Sequence, residues 1–197
     1  ASGQRYFKII KKKFPNSEIK VFSKLKKNEK FFLKKLSEIE SFKPDTIFMC
    51  NPSSERIKYL KYIKKTKNVF FEKPLSNNYR SGKKILKAMS NKKNILLGYN
   101  LRFLNILTKV KKNLNNYVGR VYSFDCESGS FLPEWRKINY KQSVSAQKKL
   151  GGGALLELSH EMDYINWIFG TNYKMKSFFI NSKILNINVE DNVKIIF

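Results

Sequence analysis

Short apolar runs alternate with amphipathic helical patterns through the first half of this chain, and no other feature limits its fold as strongly. "SEIKVFS" (17 to 23), "PDTIFMCNP" (44 to 52), "NVFFEKP" (68 to 74) and "NILLGYN" (94 to 100) read as strands. Helical patterns lie before and between them. Residues 1 to 14 read as a short loop and then a helix, with Tyr6, Ile9, Ile10 and Phe14 on one face. Residues 28 to 42, 54 to 66 and 76 to 92 complete the series. Alternation with short connections predicts a parallel sheet with helices on both faces. An apolar strand such as Thr46 to Cys50 suits a sheet buried on both sides. The pattern begins with a loop and a helix, with no strand in front of them.

After residue 100 the pattern changes. "FLNILTKVKKNLNN" reads as a helix and "RVYSFDCESGS" (120 to 130) as a long strand. A polar loop with aromatics follows, then "GGGALLELSHEMDYINWIFG" (151 to 170), a glycine turn leading into a helix. "KMKSFFINSK" and "DNVKIIF" read as strands. This grammar predicts an α+β part with a mostly antiparallel sheet. The boundary falls between residues 98 and 99, giving parts 1–98 and 99–197. Cys50 and Cys126 sit far apart in apolar, strand-like contexts and read as buried free thiols of a cytoplasmic protein. No run of 18 apolar residues predicts a membrane helix, and no leader pattern is visible.

The net charge of +25 raises the question of a nucleic-acid partner. The excess is lysine, with arginine only at 5, 56, 80, 102, 120 and 136, whereas base readout and bidentate phosphate contacts favour arginine. The lysines are spread over nearly every helix rather than gathered in a stripe. The expectation is therefore no nucleic-acid partner, but a positive surface that attracts anionic cofactors and substrates.

Four motifs carry chemistry. In "SGQRY" (Ser2 to Tyr6), Gly3 at a loop-to-helix junction permits close approach of a ligand to a helix N-terminus, which attracts phosphate. Only one glycine of a full dinucleotide fingerprint is present. "CNPSSE" places Asn51, Pro52 and Ser53 at the carboxyl edge of a parallel sheet, where open α/β folds bind ligands; it also reads as a plain strand-to-helix connection. "EKP" puts Glu72 and Lys73 at the same edge, and reads equally as a strand end with a turn. The fourth is the His160 helix, holding the sole histidine of the chain. Leu156, His160, Asp163 and Trp167 fall on one helical stripe, with Glu157 and Asp163 one turn either side of the imidazole and able to orient it. A lone helical histidine is also a common structural residue. No metal site is expected.

"GQRY", "PDTIFMCNPSSE", "NVFFEKPLS", "GYNLRF" and "GGGALLELSHEMDYINWIFG", in this order and at these separations, resemble the Gfo/Idh/MocA family of NAD(P)-dependent oxidoreductases. "FLPEWRKINYKQSVSAQKKLGGG" further resembles members linked to surface polysaccharide and sialic-acid-like sugar biosynthesis. The resemblance implies a Rossmann-type domain, here over 1–98 without its first strand, and a substrate and oligomerisation domain over 99–197 with an incomplete sheet. It implies hydride transfer between a nicotinamide and a hydroxyl of a sugar, nucleotide sugar or cyclitol, and homo-oligomers through the C-terminal sheet. Lys73 and His160 match the catalytic lysine and histidine, Glu157 joins them as the nearby acid, and Glu72 matches the acid beside the cofactor. Ser2, Gly3, Gln4, Arg5, Asn51, Pro52 and Ser53 are then cofactor contacts. Tyr99, Arg102, Trp135, Arg136, Tyr140 and Asp163 are candidates for substrate contacts. Two departures stand out. Arg56 occupies a place where many relatives have histidine, and Glu157 stands three residues before His160 where relatives have an aspartate four before. The strand over 17–23, which stands second in such a domain once its missing first strand is counted, ends in Ser23 and Lys24, further candidate cofactor contacts. It has no acid to hold a ribose 2′-hydroxyl, so NADP is favoured slightly over NAD. The alternative to an enzyme is a sugar- or nucleotide-sensing protein on the same fold. The Lys73–Pro74 peptide is expected to be cis, and His160 is expected to face Lys73 across a cleft.

Overall fold

The structure, a computed structural model, describes residues 2–23, 29–90, 94–135 and 137–197. Helix α1 (Ser2–Lys13) takes in the residues expected as a loop and ends on three lysines that suit its negative pole. Its inward stripe is Gly3, Tyr6, Phe7 and Ile10; Ile9 and Phe14 are exposed, contrary to the expected face. The difference is a small rotation of the stripe. The ring of Phe7 stacks on Phe31 (4.8 Å), and Tyr6 packs on Phe70 (5.0 Å) and Phe48 (5.7 Å).

The strand expected over 17–23 is reduced to one parallel bridge, Val21 with Phe32. The helix expected over 28–42 is confined to α2 (Glu38–Phe42). Phe31 turns toward Phe7, which pulls the preceding segment out of helical geometry, and the Glu38 carboxylate accepts the backbone N–H groups of Lys34 and Lys35 (3.2 and 3.0 Å).

Strands β1 (Thr46–Met49), β2 (Asn68–Phe71) and β3 (Asn94–Leu97) form a parallel sheet in that order. Between β1 and β2, the helical segment opens as a 3-10 helix (Ser53–Tyr59) and becomes α3 (Leu60–Lys64). Helix α4 (Tyr79–Met89) follows β2, capped by Asn78 Oδ1 accepting the Ser81 N–H at 2.9 Å. The period of two in β2 separates the faces. Val69 and Phe71, with Met49, pack on Ile63, Ile85 and Met89 under α3 and α4; Phe70 and Phe48 lie under Tyr6 of α1. The expected layering on both faces is present. β1 is not buried throughout as expected: Thr46 and Phe48 are exposed, because no described strand pairs with its outer edge.

The second part holds α5 (Asn105–Val118), α6 (Ala154–Glu157) and α7 (Ser159–Phe169). Strands β4 (Lys176–Ile180) and β5 (Asn192–Ile196) pair antiparallel. The strand expected over 120–130 does not form. No described strand pairs with it, and Phe124 is held instead by stacking on Phe169 (4.3 Å). Cys126 is accordingly exposed, not buried, with its thiol 2.8 Å from the Tyr164 hydroxyl; Cys50 is half-buried, and burial pushes its thiol up to about 11. The helix expected across 154–169 breaks at Leu158, so Leu156 and His160 do not share one stripe.

Candidate active site

The site begins with backbone anchoring at the carboxyl edge of the parallel sheet. The Glu72 N–H donates to Met49 O (3.0 Å) and the Gly98 N–H to Phe71 O (2.8 Å), so the ladder extends one residue past each strand. A Cβ on Gly98 would stand 2.9 Å from the Phe70 ring, so only glycine lets this chain pass so near β2. Lys73 follows, and its peptide bond to Pro74 is cis, as expected. Beneath the turn lies Arg56, only 1% exposed. Its guanidinium donates to the carbonyls of Pro74 and Asn51, the latter at 3.3 Å, and thereby ties the exits of β1 and β2 together. Burial pushes it down to about 10, with the Glu72 carboxylate opposing. The sequence marked Arg56 only as a departure; one of six arginines in a lysine-rich chain, placed just after a strand exit, was the available signal.

Glu72 turns toward α1. Tyr6 donates to its Oε1 at 2.8 Å, and the exposed Arg5 guanidinium stands 3.7 Å away. Burial and the Glu72 carboxylate raise the Tyr6 phenol. Tyr6 was not among the expected site residues, although it follows Gly3 by one helical turn. The first turn of α1 meets the exit of β1: a Cβ on Gly3 would touch Cys50 Cβ at 3.5 Å. Of the residues expected to hold the cofactor, Gly3 thus meets Cys50 and Arg5 approaches Glu72, while Ser53 is buried beneath Gly151. Both polar atoms of the Asn51 side chain are buried without a hydrogen-bond partner among the described residues. Ser23 lies past the Val21 bridge, and Lys24 and Arg136 lie outside the described residues.

Lys73 reaches into the second part. Its ammonium donates to the Glu157 carbonyl and lies 3.6 Å from Glu157 Oε2, with about four-fifths of both side chains buried. Glu157 Oε1 accepts from Ser145 Oγ at 2.9 Å. Glu157 therefore serves the lysine, not the imidazole. Asp163 is likewise engaged elsewhere: Arg102 grips it with two bonds of 2.7 and 2.6 Å. The expectation that these acids orient His160 fails because the break at Leu158 turns Glu157 away and because Arg102 captures Asp163. His160 instead meets Tyr99 edge-on, with ring centroids 5.5 Å apart, and its Nδ1 has no partner among the described residues. Burial, then the Lys73 ammonium, holds the imidazole below the ordinary 6.5. Burial also raises the Tyr99 phenol.

The three glycines before α6 are approached by the protein itself. A Cβ on Gly151 would meet Ser53 Oγ at 2.3 Å, on Gly152 the Val144 carbonyl at 2.3 Å, and on Gly153 the Glu190 carboxylate at 2.2 Å. They join the two parts and set Glu157 against Lys73. Tyr140 donates to the Leu185 carbonyl (2.9 Å) and lines a small hollow with Trp135, Leu132, Ile138, Ser143 and Ser145. Among the described residues no cluster of His, Cys, Asp and Glu could hold a metal ion. No described helix is long and apolar enough to cross a membrane.

Residues 111–195 match the family described as "Oxidoreductase family, C-terminal alpha/beta domain". No curated protein matches the sequence. Among solved structures, the WlbA dehydrogenase from Chromobacterium violaceum, in complex with NADH and UDP-GlcNAcA, superimposes with a TM-score of 0.72 at 18% identity, over 98% of this chain and 59% of that one. An NAD-binding protein from Listeria innocua gives 0.70 at 17% identity, over 90% and 54%. The WlbA dehydrogenase from Bordetella pertussis, also with NADH and UDP-GlcNAcA, gives 0.66 at 19% identity, over 82% and 47%. At these identities the likeness is one of fold, and the chain spans about half the length of these structures.

Proposed function

We propose, for a chain whose residues 111–195 match the C-terminal domain of an oxidoreductase family, that it belongs to the Gfo/Idh/MocA oxidoreductases and transfers a hydride between NAD(P) and a hydroxyl of a sugar or nucleotide sugar. The observation that carries this reading is the convergence of Lys73, Glu157 and His160 where the parallel sheet meets the second part.

The residues present fit a dinucleotide. The amino end of α1 lies at the exit of β1, and the Asn51 amide is buried there with both polar atoms unused among the described residues. A helix N-terminus and a free amide suit pyrophosphate and ribose. Ser2 to Arg5, Asn51 to Ser53 and Glu72 would hold the group, which when bound supplies the hydride acceptor. The fold neighbours that contain NADH support this reading. The lysine-rich sequence after Ser23, without an acid, favours NADP over NAD. Dissociation constants for the two cofactors test that preference, and tighter NAD binding would overturn it.

The chain's own groups then divide the proton work. His160, held below 6.5 by burial and by Lys73, favours its neutral form at pH 7, and its buried Nδ1 has no partner among the described residues. A neutral imidazole is the group suited to take the hydroxyl proton. Lys73 is fixed by the Glu157 carbonyl and carboxylate, so its cation orients the substrate oxygen and stabilises the charge that grows on it as the proton leaves. Glu157 and Ser145 hold Lys73 in place. Tyr99 packs edge-on against the imidazole, and the Arg102–Asp163 pair ties the Tyr99 turn to α7.

The domain division at 98/99, the cytoplasm as the compartment of the cofactor, a role in surface-polysaccharide sugar synthesis and self-association through β4 and β5 belong to the same reading. The exposed Phe178, Phe179 and Ile180 on β4 support the last. The decisive experiment is NAD(P) reduction by wild-type and Lys73→Met protein across a panel of nucleotide sugars. No turnover of any of them by a protein that binds cofactor would overturn the assignment.

A further inference from the structure

The hollow beside Tyr140 has an unusual lining. Leu132, Trp135, Ile138 and the Tyr140 ring make apolar walls, and the Tyr140 hydroxyl is already committed to Leu185. Of its two serines, Ser145 is committed to Glu157. Ser143 is 5% exposed, lines the same hollow, and its Oγ has no partner among the described residues. A buried hydroxyl left without a partner is costly, so one is retained where a ligand completes it. The enclosed space takes a methyl-sized group and is too small for a sugar ring. Ser145, which lines the hollow, donates to the Glu157 carboxylate, and that carboxylate lies 3.6 Å from the Lys73 ammonium.

These features select among sugar substituents. A carboxylate or phosphate needs a cation, and among the described residues no lysine or arginine lines the hollow. A bare hydroxyl would leave the apolar walls uncovered. An acetamido group offers a methyl for Leu132, Ile138 and the rings, and one amide group for Ser143. We propose that this hollow is a subsite for the acetamido group of an N-acetylated sugar substrate, with Ser143 its hydrogen-bonding residue. The proposal rests on the hydride-transfer reading and narrows its substrate to amino sugars acetylated at a carbon near the one that reacts.

The test compares UDP-N-acetylglucosamine with UDP-glucose on the full chain by calorimetry, with NADP or NAD present. The acetylated sugar should bind at least about tenfold tighter. Ser143→Ala, which adds no volume, should cut that preference by about three- to tenfold, the range of one hydrogen bond. Ser143→Val, which fills the hollow, should abolish it while leaving cofactor affinity unchanged. Saturation-transfer NMR should show the acetyl methyl as the most strongly contacted group. Equal affinity for the two sugars, or a preference unchanged in Ser143→Ala, overturns the subsite alone. Cofactor binding with neither sugar bound also overturns the subsite and leaves the dinucleotide reading standing. Binding of neither cofactor nor sugar overturns both.

Discussion

The carboxyl edge of the parallel sheet and the β4–β5 hairpin are built from similar residues, yet they differ in what holds them. At the edge, Val69 and Phe71 are buried at 2% and 0%, the ladder continues past the strands, and Arg56 ties two strand exits together. In the hairpin every residue of β4 is exposed, Phe178, Phe179 and Ile180 by half or more. Main-chain pairing carries the exposed β4 of the hairpin; packing of Met49, Val69 and Phe71 under α3 and α4 carries the edge. Lys73 can therefore be placed to within a hydrogen bond of a residue 84 positions away, because its strand cannot slide. The hairpin is free to give its apolar face to another surface.

The sharpest way to break this contrast is at Lys73 itself. Lys73→Met should lower turnover by about a thousandfold, within the range that positioned acid–base groups supply, with cofactor affinity changed less than about twofold. Steady-state kinetics and cofactor titration check this. A parallel loss of affinity would show that the lysine holds the edge together and does not act in the reaction.

Stability should divide the two regions next. Phe71→Ala should cost about 3–5 kcal/mol, the range for large aromatic truncations in a closed core. Phe179→Ala should stay within about 0.5 kcal/mol, as exposed substitutions do. Denaturant unfolding of both variants checks the pair. A large loss at Phe179 would mean that the hairpin is buried in solution, against another copy of the chain.

Glycines sharpen the comparison on a smaller scale. Gly119 and Gly153 both have positive φ, +66° and +113°. Nothing lies within 4 Å of a Cβ at Gly119, whereas at Gly153 it would strike the Glu190 carboxylate. Both alanine variants carry the backbone penalty of about 1–2 kcal/mol; Gly153→Ala should exceed Gly119→Ala by about 1–3 kcal/mol through overpacking. Thermal melts check the difference. Equal losses would mean that Glu190 moves aside and that the junction is looser than its contacts imply.

What was legible in the sequence follows the same division. The parallel direction of β1, β2 and β3 could be read, because strands joined by short helical crossovers run parallel. "EKP" fell at the carboxyl edge, with its peptide cis. The strands expected over 17–23 and 120–130 failed for one reason: strand-like composition specifies a strand only when a partner lies alongside. The partners of Glu157 and Asp163 were invisible because they depend on the break at Leu158 and on Arg102, 61 residues from Asp163. The glycines before α6 read as a turn, and the sequence does not show that they make room for Ser53, Val144 and Glu190. Ser143 carried no signal, since a serine in a polar loop is ordinary until its burial is known.

The smallest predicted effect is the easiest to assign. His160 is the sole histidine, so its imidazole gives one titrating proton NMR signal. Burial and the Lys73 ammonium both disfavour the imidazolium, so the midpoint should lie below 6.5. The sign for stability follows. Between the folded value and about 6.5 the unfolded chain binds more protons, so the His160 contribution is full above about 6.5 and declines as pH falls toward the folded value. The acid limb of the turnover profile should track the same midpoint, because only the neutral ring accepts the proton. Lys73→Met removes the second cause and leaves the first. Its midpoint should therefore rise, by less than about one pH unit for a partly solvated neighbour, and remain at or below 6.5. An unchanged midpoint would mean that the ammonium does not face the imidazole, and the edge would then present Lys73 to Glu157 alone.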